Sequence, residues 1–558
     1  MPGAPVLLAA AVCAAYSNTL HAPFIFDDAV NILLNKSIRA LWPLWRVLAG
    51  DAQTGVAGRP LVNLSFALNH AVSGTNPWSY HALNICIHIV AALTLMGLIQ
   101  LTLCLEKSGA FQKDAAPLAF LCALVWALHP LNTVAVTYVT QRLESLMGLF
   151  FLLTFYCAAR GWQSAKKGAW HAASVLACIL GMLCKEVMVT APFLVFAYDA
   201  VFVHPDTRVR EILGRSKGLY AGLALALVVL AALLATGHTW DTAYEDKAQL
   251  GVMRYALAQP GVILHLLRLA AWPDALCLDY GYAIWNLDKS PAPTPIYVAL
   301  YGAGLAALAG LILPSLWKRR AWGFVLAWFF GILAPTSSFV PLRCFCEEHR
   351  MYLPSAALAM AVVLAGYKAL ANRAAKKAGV VLALVLALAL GTAAYVRNHD
   401  FSSSLLIWTG TLKKCPSNAR AAQNLGLAFN AAQRYALALP YFERALAGGE
   451  KPYKAHIGMG MALAGQGEHL RALEHFQKAL DERPDLDTAH QGMAVSLAAL
   501  GRYEQAILHY KVTLALDPDA ASVYHGLAFA LAQTGRMEQA RACLKKASIL
   551  ENAMKKEP

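Results

Sequence analysis

Charge is what this sequence has least of. Only 14% of its 558 residues are charged, against roughly 25% in an ordinary soluble chain, and acids are the scarcer sign, 33 Asp and Glu to 47 Lys and Arg. With 58% hydrophobic residues and a mean hydropathy of +0.47, that scarcity excludes a soluble globular protein. No cysteine pair has the spacing of a zinc site, and most of the 12 cysteines (Cys13, Cys86, Cys104, Cys122, Cys157 and Cys178 among them) sit inside apolar runs as small hydrophobes. Cys277, Cys344 and Cys346 fall in predicted external loops, which leaves room for a disulfide there. The apolar stretch from Pro5 to Ala15 has neither a basic segment before it nor a clean Ala-x-Ala site after it, and reads as a first membrane helix that stays attached. The membrane part also lacks internal symmetry and paired broken helices, which argues against a transporter.

The net charge of +14 excludes less than it first suggests. From Cys415 onward there are 16 Lys and Arg against 14 Asp and Glu, so about +12 belongs to the apolar part. There it gathers in short loops: Arg160 with Lys166 and Lys167; Arg208, Arg210, Arg215 and Lys217; Lys318–Arg320; Lys368, Arg373, Lys376 and Lys377. This is the positive-inside pattern of membrane insertion, so no nucleic-acid partner is expected.

The hydrophobic runs predict spans near 4–20, 82–105, 117–131, 143–160, 170–184, 187–203, 218–236, 295–316, 321–338, 351–370 and 379–396. The stretch 254–272 reads as an external or re-entrant amphipathic helix. About 11 spans then put the C-terminus and the connections 21–81, 132–142, 237–294 and 339–350 outside the cytoplasm. The first of these is too long to be an idle connection.

A different periodicity takes over near residue 419. Ala438, Ala472, Ala506 and Ala540 recur every 34 residues, and Phe442, Phe476 and Tyr510 share that period, as do Pro484 and Pro518. Ala445, Ala479, Thr513 and Ala547 repeat it again. This is the signature of tetratricopeptide (TPR) repeats, helix pairs stacked into a solenoid, with four units beginning near 419, 453, 487 and 521. The expected organisation is all-α: a polytopic membrane bundle over 1–400, a linker at 401–418, and a TPR solenoid over 419–554 whose groove binds a protein.

Chemistry is expected in the first external loop. Asp27 and Asp28 adjoin at its start, and two neighbouring carboxylates repel, so one needs a cationic partner or a hydrogen-bonded proton. Such an acid can take a proton from an acceptor hydroxyl. The plainer alternative is a solvated pair, or one capping a helix over 29–34. His81 and His88 share a helix face; with no third ligand at fixed spacing, packing explains them better than metal binding.

Several motifs together make the sequence resemble the transmembrane and TPR-containing O-mannosyltransferases, within the GT-C class of polyprenyl-phosphate-sugar-dependent glycosyltransferases. They are Phe26-Asp27-Asp28 with Asn31 and Asn35, Arg59-Pro60-Leu61, Asn76-Pro77, Tyr80-His81 with Asn84 and His88, and Leu128-His129-Pro130 followed by Glu144. Lys185-Glu186, Asp279-Tyr280 and Glu348-His349-Arg350-Met351-Tyr352-Leu353-Pro354-Ser355 continue the match. Val134, where an acid would be expected, and Gln141 depart from it.

The resemblance implies Asp27 and Asp28 as catalytic acids, Asp27 being the base and Asp28 its helper or a binder of acceptor or cation. It implies an inverting displacement at the anomeric carbon of a hexose such as mannose, with a polyprenyl phosphate leaving. Arg59, Arg142, Lys185, His349 and Arg350, at the outer ends of spans, would then bind the donor phosphate. His81, His129, Glu144, Glu186, Asp279, Tyr280, Glu348 and Tyr352 would support them. Alternatives stay open: Arg142 or Lys185 as headgroup anchors, and a Lys185–Glu348 bridge at a helix end. No cofactor is fixed, although the acids leave room for a divalent cation, and the expected home is a bacterial inner membrane with the site facing the periplasm, the topologically equivalent alternative being an ER membrane with the site facing the lumen. A TPR scaffold without catalysis, and an enzyme acting on a lipid or polysaccharide, are the competing functions.

Overall fold

A computed structural model describes residues 3–235, 252–281, 295–340, 342, 344–370, 372–449 and 451–556. The regular elements among them are all helical. Much of the expected connection 237–294 lies outside the described residues. The chain forms two units, one of Met1–Leu278 with Trp285–Ser403 and one of Asp279–Ile284 with Ser404–Pro558.

In the first unit, six helices are long and apolar enough to cross a membrane: Trp78–Leu103, Val139–Trp162, Glu186–Val203, Lys217–Ala235, Ala299–Trp317 and Arg373–Ser402. A seventh span results if Phe111–Ala127 and Pro130–Thr137, bent by 54°, count as one. The bend falls at His129-Pro130, where proline forces the preceding residue out of helical geometry. Ala4–Thr19, Ala321–Leu333 and Pro354–Ala369 are apolar but shorter. By this measure the described residues do not reach the eleven spans read from hydropathy. Polar and proline breaks such as Lys185-Glu186 and His129-Pro130 cut the runs into shorter helices.

Proline at the first turn starts several helices, Pro60 and Pro354 among them, because its missing N–H is not needed there. Asn372 caps Arg373–Asn398 by accepting the Ala375 N–H at 2.8 Å. Trp78–Leu103 packs between Arg142–Trp162 and Ala115–Ala127, and Arg142–Trp162 packs on Lys167–Met182. The first of these contacts needs glycine, since a Cβ at Gly97 would lie 2.8 Å from the Tyr156 ring, and so does the approach of Tyr352, whose ring would lie 2.6 Å from a Cβ at Gly148. Leu225, Val228, Leu300 and Leu313 stand exposed on outer helices, on faces that a bilayer would cover.

The second unit is a row of helix pairs: Ala419–Ala431 with Tyr435–Ala447, Pro452–Gly465 with His469–Glu482, Asp487–Ala499 with Tyr503–Leu516, and Ala521–Gln533 with Met537–Lys556. The stretch read as a linker is largely a helix, Ser404–Lys414, packed on Ala419–Ala431. The 34-residue period has a simple steric cause. The Phe442 ring lies over Gly426 and Gly458, the Phe476 ring over Gly460 and Gly492, and the Tyr510 ring over Gly526. Each aromatic therefore joins its own pair to the next through a position that tolerates no side chain.

Candidate active site

The Asp pair follows a residue in an unusual conformation. Phe26 has φ +48°, in the left-handed region that bulky side chains rarely adopt. Beyond this turn the two acids part. Asp27 is exposed, and its backbone N–H donates to the Tyr138 hydroxyl at 3.0 Å. Asp28 is 1% exposed and accepts from Ile25 N–H (3.1 Å), Thr140 N–H (2.7 Å) and the Thr140 hydroxyl (2.6 Å). Burial pushes the Asp28 carboxyl up to about 7, opposing those hydrogen bonds. Both Asp28 oxygens are thus committed inside the protein, beside the exposed Asp27.

A polar chain leads away from it. Asn31 donates to the Thr140 hydroxyl at 3.3 Å and accepts the Gly55 N–H at 2.7 Å, and Arg59 Nη1 donates to the Gly55 carbonyl at 2.6 Å. Asn35 and Asn63 brace the loop from behind through a 3.0 Å hydrogen bond. Arg59 also faces Glu186 at 3.6 Å, and its buried Nε–H has no acceptor. The Asp pair and the first of the predicted cations therefore belong to one connected network.

Around Arg59 lies a compact group of charges. Lys185 Nζ contacts Glu144 at 2.5 Å, with both side chains buried, so the Lys185–Glu348 bridge is not the pairing adopted. Arg350 forks onto Glu347 at 2.7 and 3.1 Å, and His349 stands 3.6 Å from the same carboxylate. Burial pushes the His349 imidazole down to about 3, helped by Lys185, Arg350 and Arg59 and opposed by Glu347, so it is neutral at physiological pH. Burial also pushes the Glu347 carboxyl up, but the surrounding positive groups prevail and hold it below the usual carboxylate range. With His349 neutral, Arg350 and Lys185 carry that effect. Three cations (Arg59, Lys185, Arg350) thus face three acids (Glu144, Glu186, Glu347), and the group is charge-balanced rather than cationic.

Two predicted phosphate ligands are otherwise engaged. Arg142 is fully buried, donating to Asn84 Oδ1 (2.6 Å), Asn69 Oδ1 (2.6 Å), Ser65 and the Tyr80 carbonyl (2.9 Å), with its guanidinium 4.7 Å from the Phe66 ring centre. It is a structural cation beneath the loop. Arg350 spends its remaining donors on Tyr255, Thr336, Phe345 and Cys344. Every guanidinium nitrogen of both is already hydrogen-bonded inside the protein, as burial in a low-dielectric interior favours.

The supporting residues divide likewise. Glu144 and Glu186 join the charge group. His81 Nε2 lies 2.9 Å from the Ala22 carbonyl, fixing the start of the loop. His88 bridges Tyr352 Oη (2.8 Å) and the Ala127 carbonyl (2.9 Å). His129 Nδ1 accepts the Leu131 N–H and Nε2 donates to the Ala270 carbonyl. His81, His88 and His129 spend ring nitrogens on these partners. Glu348 turns to the Cys277 N–H at 2.6 Å and to Arg397 at 3.6 Å. Asp279 and Tyr280 fall in the second unit, where Asp279 meets Arg420 at 3.2 Å and its carbonyl accepts from Asn418 at 2.9 Å.

Sequence reasoning missed Glu347, Tyr138 and Thr140. A doubled acid directly ahead of His349-Arg350 was the available signal for Glu347; nothing local marks the other two. Cys277, Cys344 and Cys346 are thiols that no disulfide links. Among the described residues, no three His, Cys, Asp or Glu side chains are grouped to hold a metal ion.

Fold and site together define a multi-pass membrane protein that carries an acidic loop joined to a buried charge group and ends in a TPR solenoid. Tetratricopeptide-repeat family models match residues 388–455, 434–487 and 496–535. The relatives of the chain are protein O-mannosyl-transferases. It is 30% identical to mouse (Mus musculus) Protein O-mannosyl-transferase TMTC2 over 350 residues, 54% of this chain and 38% of that one. It is 24% identical to mouse TMTC3 over 494 residues (81% and 52%) and 27% identical to mouse TMTC4 over 464 (74% and 62%). The chain spans about half the length of these curated relatives. Similar solved structures include that titled "Crystal structure of MamA", at 19% identity and TM-score 0.26, over 28% of this chain and 92% of that one. "YrrB: a TPR protein with an unusual peptide-binding site" is another, at 22% and 0.23, over 26% and 76%. Overlays this loose carry no functional argument.

Proposed function

We propose that the chain is a membrane glycosyltransferase of the GT-C class, moving a hexose such as mannose from a polyprenyl phosphate onto a hydroxyl of a protein. The observation that carries this reading is the hydrogen-bonded path from buried Asp28 through Thr140, Asn31 and Gly55 to Arg59, with exposed Asp27 at its head. Asp27 takes the proton of the acceptor hydroxyl as its oxygen attacks the anomeric carbon. The bond from that carbon to the phosphate oxygen breaks, and the electron pair leaves with the polyprenyl phosphate. Arg59 is the best-placed residue to receive that charge, since its Nε–H is unused and its contact with Glu186 is loose. Lys185 would first have to loosen from Glu144, and neutral His349 supplies a donor without charge. A net-neutral group suits such a step, because phosphate is held by displacing one acid and the product leaves without a strong field to retain it.

The repeats, in this reading, hold the acceptor polypeptide and raise its local concentration. Both activities are assigned to the periplasmic side of a bacterial inner membrane; a reporter fused after Pro558 that gives a cytoplasmic address would defeat this topology.

The test compares Asp27→Asn with a chain ended at Asn418, using polyprenyl-phosphate-linked labelled mannose. Asp27→Asn is expected to lose transfer by about 10²–10⁴-fold, the usual worth of a general base, with acceptor capture intact. The truncated chain is expected to lose transfer to protein while still turning donor over onto water or a small alcohol. Normal glycosylation by Asp27→Asn would leave the scaffold reading. Full transfer to protein by the truncated chain would indicate a lipid or glycan acceptor.

A further inference from the structure

The repeat unit contains two histidine pairs that the function above does not use. His456 and His475 meet with Nδ1 atoms 3.0 Å apart, and His490 and His509 do the same at 3.0 Å. The two pairs are related by the 34-residue period. Each joins the two helices of one repeat, Pro452–Gly465 to His469–Glu482 and Asp487–Ala499 to Tyr503–Leu516. The equivalent positions are Ala422 and Tyr441 in the first repeat, and Tyr524 and Cys543 in the last, so the pairing belongs to the central repeats alone. All four rings are half-buried, with an accessible side.

We propose that these pairs are two-histidine sites for a divalent transition-metal ion that clips the helices of each central repeat together, water completing the coordination. The spacing supports it. With metal–nitrogen bonds of about 2.1 Å, nitrogens 3.0 Å apart subtend about 90° at the ion, an angle native to octahedral and square-planar centres. The surrounding hydrogen bonds support it too. His490 Nε2 lies 3.0 Å from the Pro484 carbonyl, which can only accept, so Nε2 carries the hydrogen and Nδ1 presents its lone pair. A carbonyl that fixes the outer nitrogen is the usual companion of a metal-bound histidine. His509 has only to move its proton from Nδ1 to Nε2 to present a second lone pair. Around the His456–His475 pair, Lys478 and Arg471 are offset by Glu474 and Glu482. The Pro484 carbonyl, which already fixes the His490 tautomer, makes the His490–His509 site the tighter of the two.

The inference is independent of glycosyl transfer, and its test uses the full chain in detergent, purified without a polyhistidine tag and titrated with Ni²⁺ alone. Equilibrium dialysis at pH 7.5 is expected to give two sites per chain. His490→Gln removes the tighter one and His475→Gln the weaker, while His525→Gln, whose ring pairs with Glu551, removes neither. Bound Ni²⁺ should raise the unfolding temperature of the repeats, and the double variant His475→Gln/His490→Gln should lose that rise while keeping its helical circular dichroism. Absence of Ni²⁺ binding by the parent chain, or binding that the two substitutions leave unchanged, would overturn the proposal and reduce the pairs to ordinary hydrogen bonds.

Discussion

The two units solve the problem of burying helices in opposite ways. The membrane unit keeps charge inside: Arg142, Glu144, Lys185, Glu348, Arg350 and Arg397 are all less than 9% exposed. In the repeat unit, Asp279 and Arg420, paired with each other, are the charged residues so buried among those described. Its other ion pairs, Arg471–Glu468, Arg483–Asp485 and Arg536–Glu504 among them, lie at the surface. The repeat unit coheres through repeated contact of an aromatic ring with glycine or alanine, and water outside supplies the driving force. Inside a bilayer that force between helices is weak, so small residues and polar bonds carry more of the specificity. A buried charge is therefore ordinary in the first unit, and Arg59 differs from Lys185 and Arg350 beside it in keeping a buried donor without an acceptor.

That contrast can be broken at three points. The largest effect is expected for Arg142→Leu, which strands Asn84, Asn69, Ser65 and the Tyr80 carbonyl without their donor. A loss of about 3–5 kcal/mol is anticipated, as for removing one member of a buried polar set. Thermal unfolding in detergent should show it in the membrane unit only. A loss confined to transfer rate, with stability unchanged, would return Arg142 to the list of phosphate ligands.

An intermediate effect is expected for Gly492→Ala, whose new Cβ would collide with the Phe476 ring. Overpacking of this kind costs about 1–3 kcal/mol. It should lower the melting transition of the repeats and leave the membrane unit alone. Transparency at this position would mean that the aromatic rings are not fixed by the backbone opposite.

The smallest is a pH effect at Asp28. Its folded carboxyl is raised by burial from 3.8 to about 7, so the folded state holds that proton more tightly than the unfolded chain. The stability this contributes is full below about pH 4 and is lost as pH rises through about 7. Asp28→Asn lacks that dependence. Its melting temperature relative to the parent chain should therefore climb across this window and level off above it. A flat difference would mean that the three hydrogen bonds from Ile25 and Thr140 keep the carboxylate ionised throughout.

Much of this was legible in the sequence. Apolar runs and basic loops marked the membrane unit, and the alanines and aromatics recurring every 34 residues marked the repeats, down to the helix starts at Ala419, Asp487 and Ala521. The Asp pair and Arg59, Lys185, Glu144, Glu186, His349 and Arg350 were singled out from motifs, and the fold brings these cations and acids together. The failures have one physical origin. Hydropathy reports how apolar a run is, not where a polar pair or a proline bends it, so the eleven runs do not all appear as long unbroken helices among the described residues. Motifs report which residues carry charge, not which charges are already satisfied.

Periodicity is a local property, set by the geometry of a helix and the size of one ring, and so the all-helical class and the solenoid follow from the order of residues alone. Pairing is not local. Lys185 finds its acid 41 positions back at Glu144, Asp28 finds its donor 112 positions ahead at Thr140, and Arg142 finds acceptors on two separate helices. That Asp27 lies at the surface while Asp28 is sealed, and that Arg59 keeps a nitrogen without an acceptor while every Arg142 nitrogen has one, emerges only once the chain is folded. In a low-dielectric interior each charge is governed by the nearest partner in space, and no spacing along the chain encodes which partner that is.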